Sequence, residues 1–326
     1  MTYLGKDSLF LKLPTSEIPK EPTLLDLYTQ LQTSNPNYDT LINLTYYLIK
    51  SPNLQPSQII KLWLIRLTLH IFNNQLNYAQ REAINLNNVL YLQEFPNATT
   101  MTIYPLAKKV DFNLSILLLR LKSRPDLTLV NDLYKLNYQL RLTNVVELQR
   151  KLINLSFNVM VVLLISKQYI TLQSMLTNIS CQLENTIYET YIEYKSQVIL
   201  LSIIIDLKLY STTDIIESKY SDTFSQITQS TKSTLLQVIP TLDINFTLSD
   251  LIKLDISNSV LISILAIWDI CNTYPFKLID NSLTYQSPEK EEEQEDLSSD
   301  WLVDLAYDEL NKHWKENINK LYAIEL

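Results

Sequence analysis

A scarcity of glycine limits the folds open to this chain more than any other feature of its sequence. Gly5 is the single glycine among 326 residues. Phosphate-binding loops and dinucleotide-binding turns need glycines so that backbone N–H groups can approach an anion closely. Tight hairpin turns and left-handed helix ends also depend on glycine. The sequence therefore predicts an all-α chain whose helices end at asparagine, serine or proline.

The composition indicates a folded protein with a substantial core. The chain is 46 % hydrophobic and 19 % charged, which is typical of globular proteins and not of disordered ones. Its net charge of −8 would repel nucleic-acid phosphates and anionic membrane surfaces. The charge therefore argues against nucleic acid as a main partner.

The clearest helical pattern lies in the middle of the chain, at residues 148–182. Apolar residues recur there at three- and four-residue steps, break at 167–168 and resume at Tyr169, which predicts two helices joined by a tight turn. The length of about 34 residues is that of a tetratricopeptide repeat unit. Such a hairpin must stack on helical neighbours. We therefore expect stacked αα-hairpins that form a degenerate tetratricopeptide-like α-solenoid.

Composition shifts along the chain predict four regions. Residues 1–22 are proline-rich and predict an extended lead-in, and residues 23–285 predict one helical-repeat domain. Within that domain, prolines and asparagines predict a long loop near 87–107. Residues 286–299 form an acidic run whose like charges predict a disordered linker. Residues 300–326 predict a C-terminal helix that packs on the solenoid.

The sequence contains no obvious targeting or membrane-spanning segment. The N-terminus lacks a basic region followed by a long apolar one. The most apolar stretches, 159–165, 198–205 and 260–267, are much shorter than the roughly 20 residues that span a bilayer. We therefore expect a cytoplasmic protein without integral membrane insertion.

The sequence offers no recognisable catalytic, cofactor or metal site. The histidines His70 and His313 and the cysteines Cys181 and Cys271 lie far apart, without the spacing of metal ligands. We expect His70 to be a partly buried, hydrogen-bonded residue, His313 to lie on a solvated flank, and both thiols to be buried. The chain is therefore expected not to be an enzyme.

Arg66 is unusual because it lies within the apolar run 62–67. A charge among so many apolar neighbours must either reach solvent or pair with a carboxylate or with backbone carbonyls. We expect it to have a structural role and to anchor the adjacent loop.

Several landmarks follow one another in an order that resembles a known family. They are Trp63, Arg66 and Leu67 in one helix, Tyr104 and Pro105 at the end of a loop, and Phe157 and Tyr169 in the central hairpin. Over roughly residues 55–275 the chain resembles the tetratricopeptide-repeat region of trafficking protein particle (TRAPP) complex subunit 12. Val161, Gln173 and Asn185 stand where a tetratricopeptide repeat has a small residue, alanine and proline, so the repeats would be degenerate.

The resemblance implies a non-catalytic scaffold within a TRAPP-type vesicle-tethering complex. Its partners would be TRAPP subunits and, indirectly, a Rab-family GTPase, in traffic from the endoplasmic reticulum to the Golgi. The chain would be cytoplasmic and peripheral to those membranes. Two alternatives stay open: a helical-repeat adaptor of another intracellular complex, such as a chaperone or nuclear-pore platform, and an all-helical enzyme. The enzyme would need convergent carboxylates or a metal-ligand set in a cavity.

Overall fold

The computed structural model of this protein is built from helices joined by turns and loops. It describes residues 3–14, 22–97, 106–107, 110–142, 148–183, 189–210, 213–243, 245–273, 299–314, 317 and 320–321. Over these residues it contains fourteen α-helices and one short 3₁₀ turn, and no β-strand. The predicted all-α class is confirmed.

The chain divides into two compact units. Unit 1 comprises Met1–Arg124 and Tyr274–Ile324, and unit 2 comprises Pro125–Thr273 with Glu325–Leu326. The structure thus divides the helical domain expected over 23–285 between Arg124 and Pro125. Unit 1 also combines two segments that lie far apart in sequence, a pairing that local sequence patterns do not reveal.

Unit 1 is organised around one almost fully buried helix. Its helices are α1 (Leu24–Leu31), α2 (Tyr38–Lys50), α3 (Pro56–Phe72), α4 (Leu76–Glu94), α5 (Phe112–Lys122) and α14 (Ser299–Lys312). The helix α3 packs against α2, α4, α5 and α14, and its apolar residues lie on nearly all sides, as expected of a central helix. The helix α14 also packs on α1.

Two predicted features of unit 1 need correction. The helix α4 continues to Glu94, so the loop predicted near 87–107 is wrong over 87–94; residues 98–105 and 108–109 lie outside the described residues. The expected lead-in over 1–22 contains a 3₁₀ turn at Asp7–Leu9. Leu4, Leu9 and Phe10 are buried, so the described part of this segment belongs to the core.

The predicted C-terminal helix over 300–326 corresponds to α14, which begins at Ser299. Except for Ser299, the predicted acidic linker 286–299 lies outside the described residues.

Unit 2 contains the remaining eight helices of the described chain. They are α6 (Leu127–Arg141), α7 (Leu148–Ile165), α8 (Tyr169–Leu183), α9 (Glu189–Leu209), α10 (Thr213–Phe224), α11 (Gln229–Val238), α12 (Leu248–Ile252) and α13 (Asn258–Thr273). The helix α7 packs against α6, α8 and, most extensively, α13. Since α13 is far from α7 in sequence, this unit departs from simple stacking of sequence neighbours.

The central hairpin lies where the sequence predicts it. The helices α7 and α8 are separated by residues 166–168, and Lys167 adopts a left-handed conformation with φ of 57°. Gln168 N donates to Leu163 O at 2.8 Å and Lys167 N donates to Leu164 O at 3.0 Å. This is the Schellman pattern of helix termination, in which glycine is usual at the left-handed position.

The helix α7 also has the length and composition of a membrane span. It is 18 residues long, and 56 % of it is buried inside the protein. Its contacts with α6, α8 and α13 are those of a core helix in a globular unit. The uninterrupted apolar stretch within α7, residues 159–165, is much shorter than the helix, so it does not reveal this property.

Candidate functional site

A buried ion pair lies at the centre of unit 1. Arg66 of α3 and Glu82 of α4 both have side chains with 0 % exposure. Arg66 Nε donates to Glu82 Oε2 at 2.7 Å, and Arg66 Nη2 donates to Glu82 Oε1 at 2.9 Å. Arg66 Nη1 donates to the carbonyl of Ile42 at 2.8 Å. Arg66 therefore pairs with both a carboxylate and a carbonyl, in the bidentate geometry that suits guanidinium.

The N-terminal segment completes this network. Leu11 N donates to Glu82 Oε1 at 2.9 Å, and Arg66 Nη2 donates to Lys12 O at 3.0 Å. The Arg66 guanidinium also lies 4.9 Å from the centre of the Phe10 ring, within the range of a cation–π interaction. Arg66 thus anchors a segment more than fifty residues away along the chain, and the expectation that it holds the adjacent loop is wrong.

Glu82 is ionised in this setting. Burial raises the pKa of Glu82, but the nearby side chains of His70 and Arg66 outweigh this effect and hold the pKa at about 2. Compensation by a bidentate guanidinium is what allows a carboxylate to stay charged away from water.

His70 is hydrogen-bonded, as predicted, but it is more deeply buried than the sequence suggests. Its side chain is fully buried, not partly so, and its Nε2 lies 3.4 Å from Glu82 Oε2. That carboxylate comes from α4, so a search for partners on α3 alone could not find it. The other ring nitrogen, Nδ1, lies 3.0 Å from Gln75 Oε1. Because His70, Arg66 and Glu82 are all sealed from solvent, we interpret the cluster as structural.

The seven landmark residues are distributed over both units. Trp63, Arg66 and Leu67 belong to α3 in unit 1, and Phe157 and Tyr169 belong to unit 2. Tyr104 and Pro105 lie outside the described residues. The five described landmarks thus belong to two separate units.

Each of the described aromatic landmarks has a packing role. Trp63 is buried, stacks on Phe10 with ring centres 4.7 Å apart and donates from Nε1 to Leu4 O at 3.1 Å. Phe157 is buried against Tyr194, with ring centres 5.4 Å apart. The hydroxyl of Tyr169 accepts a hydrogen bond from the side chain of Asn258.

Two further predictions of residue position are wrong. His313 is half-buried, with its Nε2 3.1 Å from the carbonyl of Leu31, and does not lie on a solvated flank. Cys181 is exposed, because it lies away from the side of α8 on which Leu172 and Leu176 are buried. The side chain of Cys271 lies outside the described residues.

An exposed apolar stripe runs along α6, and we call it the α6 face. Its members are spaced by seven, four and four residues and are 51, 48, 66 and 70 % exposed: Leu127, Tyr134, Tyr138 and Leu142. This spacing places them on one side of the helix. Large exposed apolar side chains that line up along one side of a helix are typical of interaction sites. The apolar spacing in the sequence predicts this helix but does not show which of its apolar sides is covered.

The other side of α6 is the covered one. Leu129, Val130 and Leu133 are buried, and α6 packs on α7. The α6 face therefore has no cover from the helix on which α6 rests.

A cleft lined by both polar and apolar groups opens between α8, α9 and α10 in unit 2. Its volume is about 320 Å³, and its lining includes two lysines and several hydroxyls: Lys195, Lys219, Thr177, Ser180, Ser202 and Thr223. Among the residues that the structure describes, Lys195 makes no ion pair. No group of three or more metal-ligating side chains is found in the described part of the chain.

Two residues of the cleft lining, Lys219 and Tyr220, bind the same buried carboxylate. Asp206 is 2 % exposed and accepts hydrogen bonds from Lys219 Nζ at 2.7 Å, Tyr220 Oη at 2.8 Å and Gln173 Nε2 at 2.6 Å. Burial and the hydrogen bond to Asp206 raise the pKa of Tyr220 to about 12. Burial lowers the pKa of Lys219, but its interactions with Asp206 and Tyr220 together outweigh this effect, so the net pKa is raised. Both donors therefore keep their protons at neutral pH.

No family model, curated protein or solved structure matches this chain. The resemblance to the TRAPP subunit 12 family thus stays a prediction from the sequence.

Proposed function

We propose that this chain is a non-catalytic scaffold that binds a partner protein through the α6 face. The observation that carries the proposal is the exposure of Leu127, Tyr134, Tyr138 and Leu142 along one side of a helix. Covering such surface contributes roughly 25 cal/mol for each Å² removed from water. Tyrosine is also enriched at the centres of protein interfaces.

The shape of the α6 face suits an amphipathic helix of the partner. From Leu127 to Leu142 the stripe extends roughly 22 Å, at 1.5 Å per residue. A partner helix with apolar residues at three- and four-residue steps would match this length and spacing. The occupant that we propose is therefore the apolar side of a helix from another protein.

The resemblance supplies the identity of the complex that we propose. A TRAPP-type vesicle-tethering complex would place the chain in the cytoplasm, peripheral to the endoplasmic reticulum and Golgi, with a Rab-family GTPase as an indirect partner. The proposed tetratricopeptide-like solenoid character is supported by successive packing of α1 to α5 in unit 1 and of α6 to α10 in unit 2. An adaptor of another complex is the alternative within the same class.

An all-helical enzyme is the weaker alternative. The feature that would favour it is a cavity lined by acids able to exchange protons. The carboxylate bound by the cleft residues Lys219 and Tyr220, Asp206, is instead engaged by three donors. This arrangement favours binding over acid–base catalysis.

Affinity purification of the full chain with mass spectrometry tests the proposal. The test variant carries Tyr138→Ser and Leu142→Ser, and a matched control carries Ile170→Ser and Ile215→Ser, which alter exposed apolar residues elsewhere in unit 2. We expect TRAPP subunits with the parent and control chains and their loss with the test variant.

The other outcomes are equally informative. Partners retained by the test variant would show that the α6 face is not the interface. A different complex that is lost with the test variant would keep the scaffold and reject the TRAPP assignment. A chain that purifies without partners would contradict the scaffold proposal.

A further inference from the structure

We propose that the cleft between α8, α9 and α10 binds a small phosphorylated polyol, such as a sugar phosphate. This site is separate from the α6 face and goes beyond the scaffold function. The proposal rests on the charge of the cleft, on the hydrogen-bonding state of its hydroxyls and on its volume.

The charge of the cleft favours an anion. Lys195 and Lys219 both line it, and Asp206 pairs with Lys219. Lys195 has no counter-charge among the residues that the structure describes, so the cleft is locally positive in a chain whose net charge is −8. A lysine ammonium is a compact charge that suits a phosphate group.

One of these two charges, that of Lys219, is held in place by the surrounding side chains. Tyr220 and Asp206 are buried, and the hydrogen bond between them at 2.8 Å fixes the position of Tyr220 in the cleft lining. The same carboxylate positions Lys219 Nζ at 2.7 Å. Because these groups are already satisfied, a ligand does not have to order them on binding, which favours affinity.

The hydroxyls of the cleft favour a ligand that also donates hydrogen bonds. Thr177 Oγ1 donates to Gln173 O at 2.9 Å, and Ser202 Oγ donates to Val198 O at 2.8 Å. With their protons committed to the backbone, these oxygens present lone pairs to the cleft. They can accept hydrogen bonds from the hydroxyls of a polyol, whereas the lysines bind its phosphate.

The volume sets the size of the ligand. A cavity of about 320 Å³ corresponds to about ten water molecules at roughly 30 Å³ each. This is room for a monosaccharide phosphate and lies at the small end of the range for ligand pockets.

Isothermal titration calorimetry on the full chain tests the proposal with three probes: glucose 6-phosphate, inorganic phosphate and glucose. We expect glucose 6-phosphate to bind more tightly than inorganic phosphate, and glucose to bind more weakly than either. Lys195→Gln should lower the affinity for glucose 6-phosphate and for inorganic phosphate about tenfold or more, since it removes a charge-assisted contact. Lys135→Gln, which removes the same charge from α6, should leave binding unchanged.

A second variant separates the two halves of the proposal. Ser202→Ala removes a hydrogen-bond acceptor and should lower the affinity for glucose 6-phosphate without changing the affinity for inorganic phosphate. Equal binding of the two phosphate-bearing probes, or no effect of Ser202→Ala, would overturn the polyol assignment. Absence of phosphate binding, or binding that Lys195→Gln leaves unchanged, would overturn the anion site. Circular dichroism of each variant confirms that it is folded.

A vesicle experiment distinguishes a free ligand from a lipid headgroup. Glucose 6-phosphate should bind the cleft in the absence of vesicles. Vesicles containing phosphatidylinositol 4-phosphate should not retain the chain. Lys195-dependent retention on those vesicles would overturn the assignment to a soluble ligand.

Discussion

The Arg66–Glu82 pair is a residue-scale feature with a large expected effect on stability. Glu82→Gln would leave the Arg66 guanidinium buried without its counter-charge and would weaken the acceptor of the Leu11 N–H. Removing one member of a buried pair costs about 3–5 kcal/mol. We therefore expect a decrease of that size in the free energy of unfolding of unit 1, measured by urea titration.

A double variant shows whether the loss comes from the unpaired charge. In Arg66→Met with Glu82→Gln, no charge stays buried, so the loss should be clearly smaller than the sum of the two single losses. Additive losses would mean that the two side chains do not act as a pair.

The same carboxylate gives a pH dependence whose direction follows from its pKa. The pKa of Glu82 is about 2 in the folded chain, compared with an ordinary value of 4.5. The folded state thus holds its proton less readily than the unfolded state. Its contribution to stability is complete above about pH 4.5 and is lost as the pH falls towards about 2. Urea titrations across this window should show a smaller loss for Glu82→Gln than for the parent; parallel losses would contradict the assignment.

Residue-scale reasoning from sequence could identify Arg66 but not its partner. A charge inside an apolar run predicts that some carboxylate or carbonyl must meet it. That Glu82 is the partner depends on how α3 packs on α4, and that Leu11 and Lys12 join them depends on where the N-terminal segment lies. The position of His70 beside Glu82 has the same origin. None of these contacts leaves a local pattern.

Helix ends are the element-scale consequence of having so little glycine. The helices α3 and α7 both end with a residue in the left-handed conformation, at Asn74 and Lys167, each with φ of 57°. Both ends show the paired Schellman hydrogen bonds. Asparagine tolerates this conformation because its short polar side chain can form local hydrogen bonds. Lysine, like most other residues, is strained in it by about 1–2 kcal/mol.

Lys167→Gly should therefore stabilise unit 2. The substitution relieves the left-handed strain, and the greater freedom of glycine in the unfolded chain offsets part of the gain. We expect a net increase of about 0.5–1 kcal/mol in the free energy of unfolding, measured by urea titration. Asn74→Gly is the matched control and should give a smaller gain; an equal or larger gain at Asn74 would contradict the strain argument.

Sequence periodicity predicts the helices best where a break in the apolar spacing coincides with a turn. The break predicted at 167–168 lies within the observed turn between α7 and α8. It failed in α4, where Asn87 and Asn88 suggest a loop by their low helix propensity. There, Ala83, Leu86 and Leu90 are buried, and packing of α4 against α3 and α5 outweighs local preference.

At the scale of the whole molecule, the division into two units was beyond local sequence patterns. The contacts that define each unit join distant segments: α14 with α1 and α3 in unit 1, and α13 with α7 in unit 2. Periodicity shows that each of these helices has an apolar side to cover. It does not show which of many similar sides will cover it, because apolar contacts are not directional.

The two tryptophans near α14 test whether the C-terminal helix belongs to the core of unit 1. Trp314 is 6 % exposed, and its ring lies edge-on to Phe72 with centres 4.8 Å apart. Trp301 is 51 % exposed. Trp314→Ala should lower the free energy of unfolding by about 3–5 kcal/mol, as expected for a buried tryptophan, and Trp301→Ala should have little effect.

Amide hydrogen exchange shows which helices lose stability in this variant. With Trp314→Ala, exchange should accelerate in α1 and α3, which pack on α14, and stay close to the parent rate in α7 and α13. Faster exchange centred on α7 would instead indicate that α14 packs in unit 2 and would contradict its place in unit 1. An equal effect of Trp301→Ala would show that α14 is turned differently about its axis. Since α14 follows more than two hundred residues after α3, the expected pattern requires that unit 1 be completed by the end of the chain.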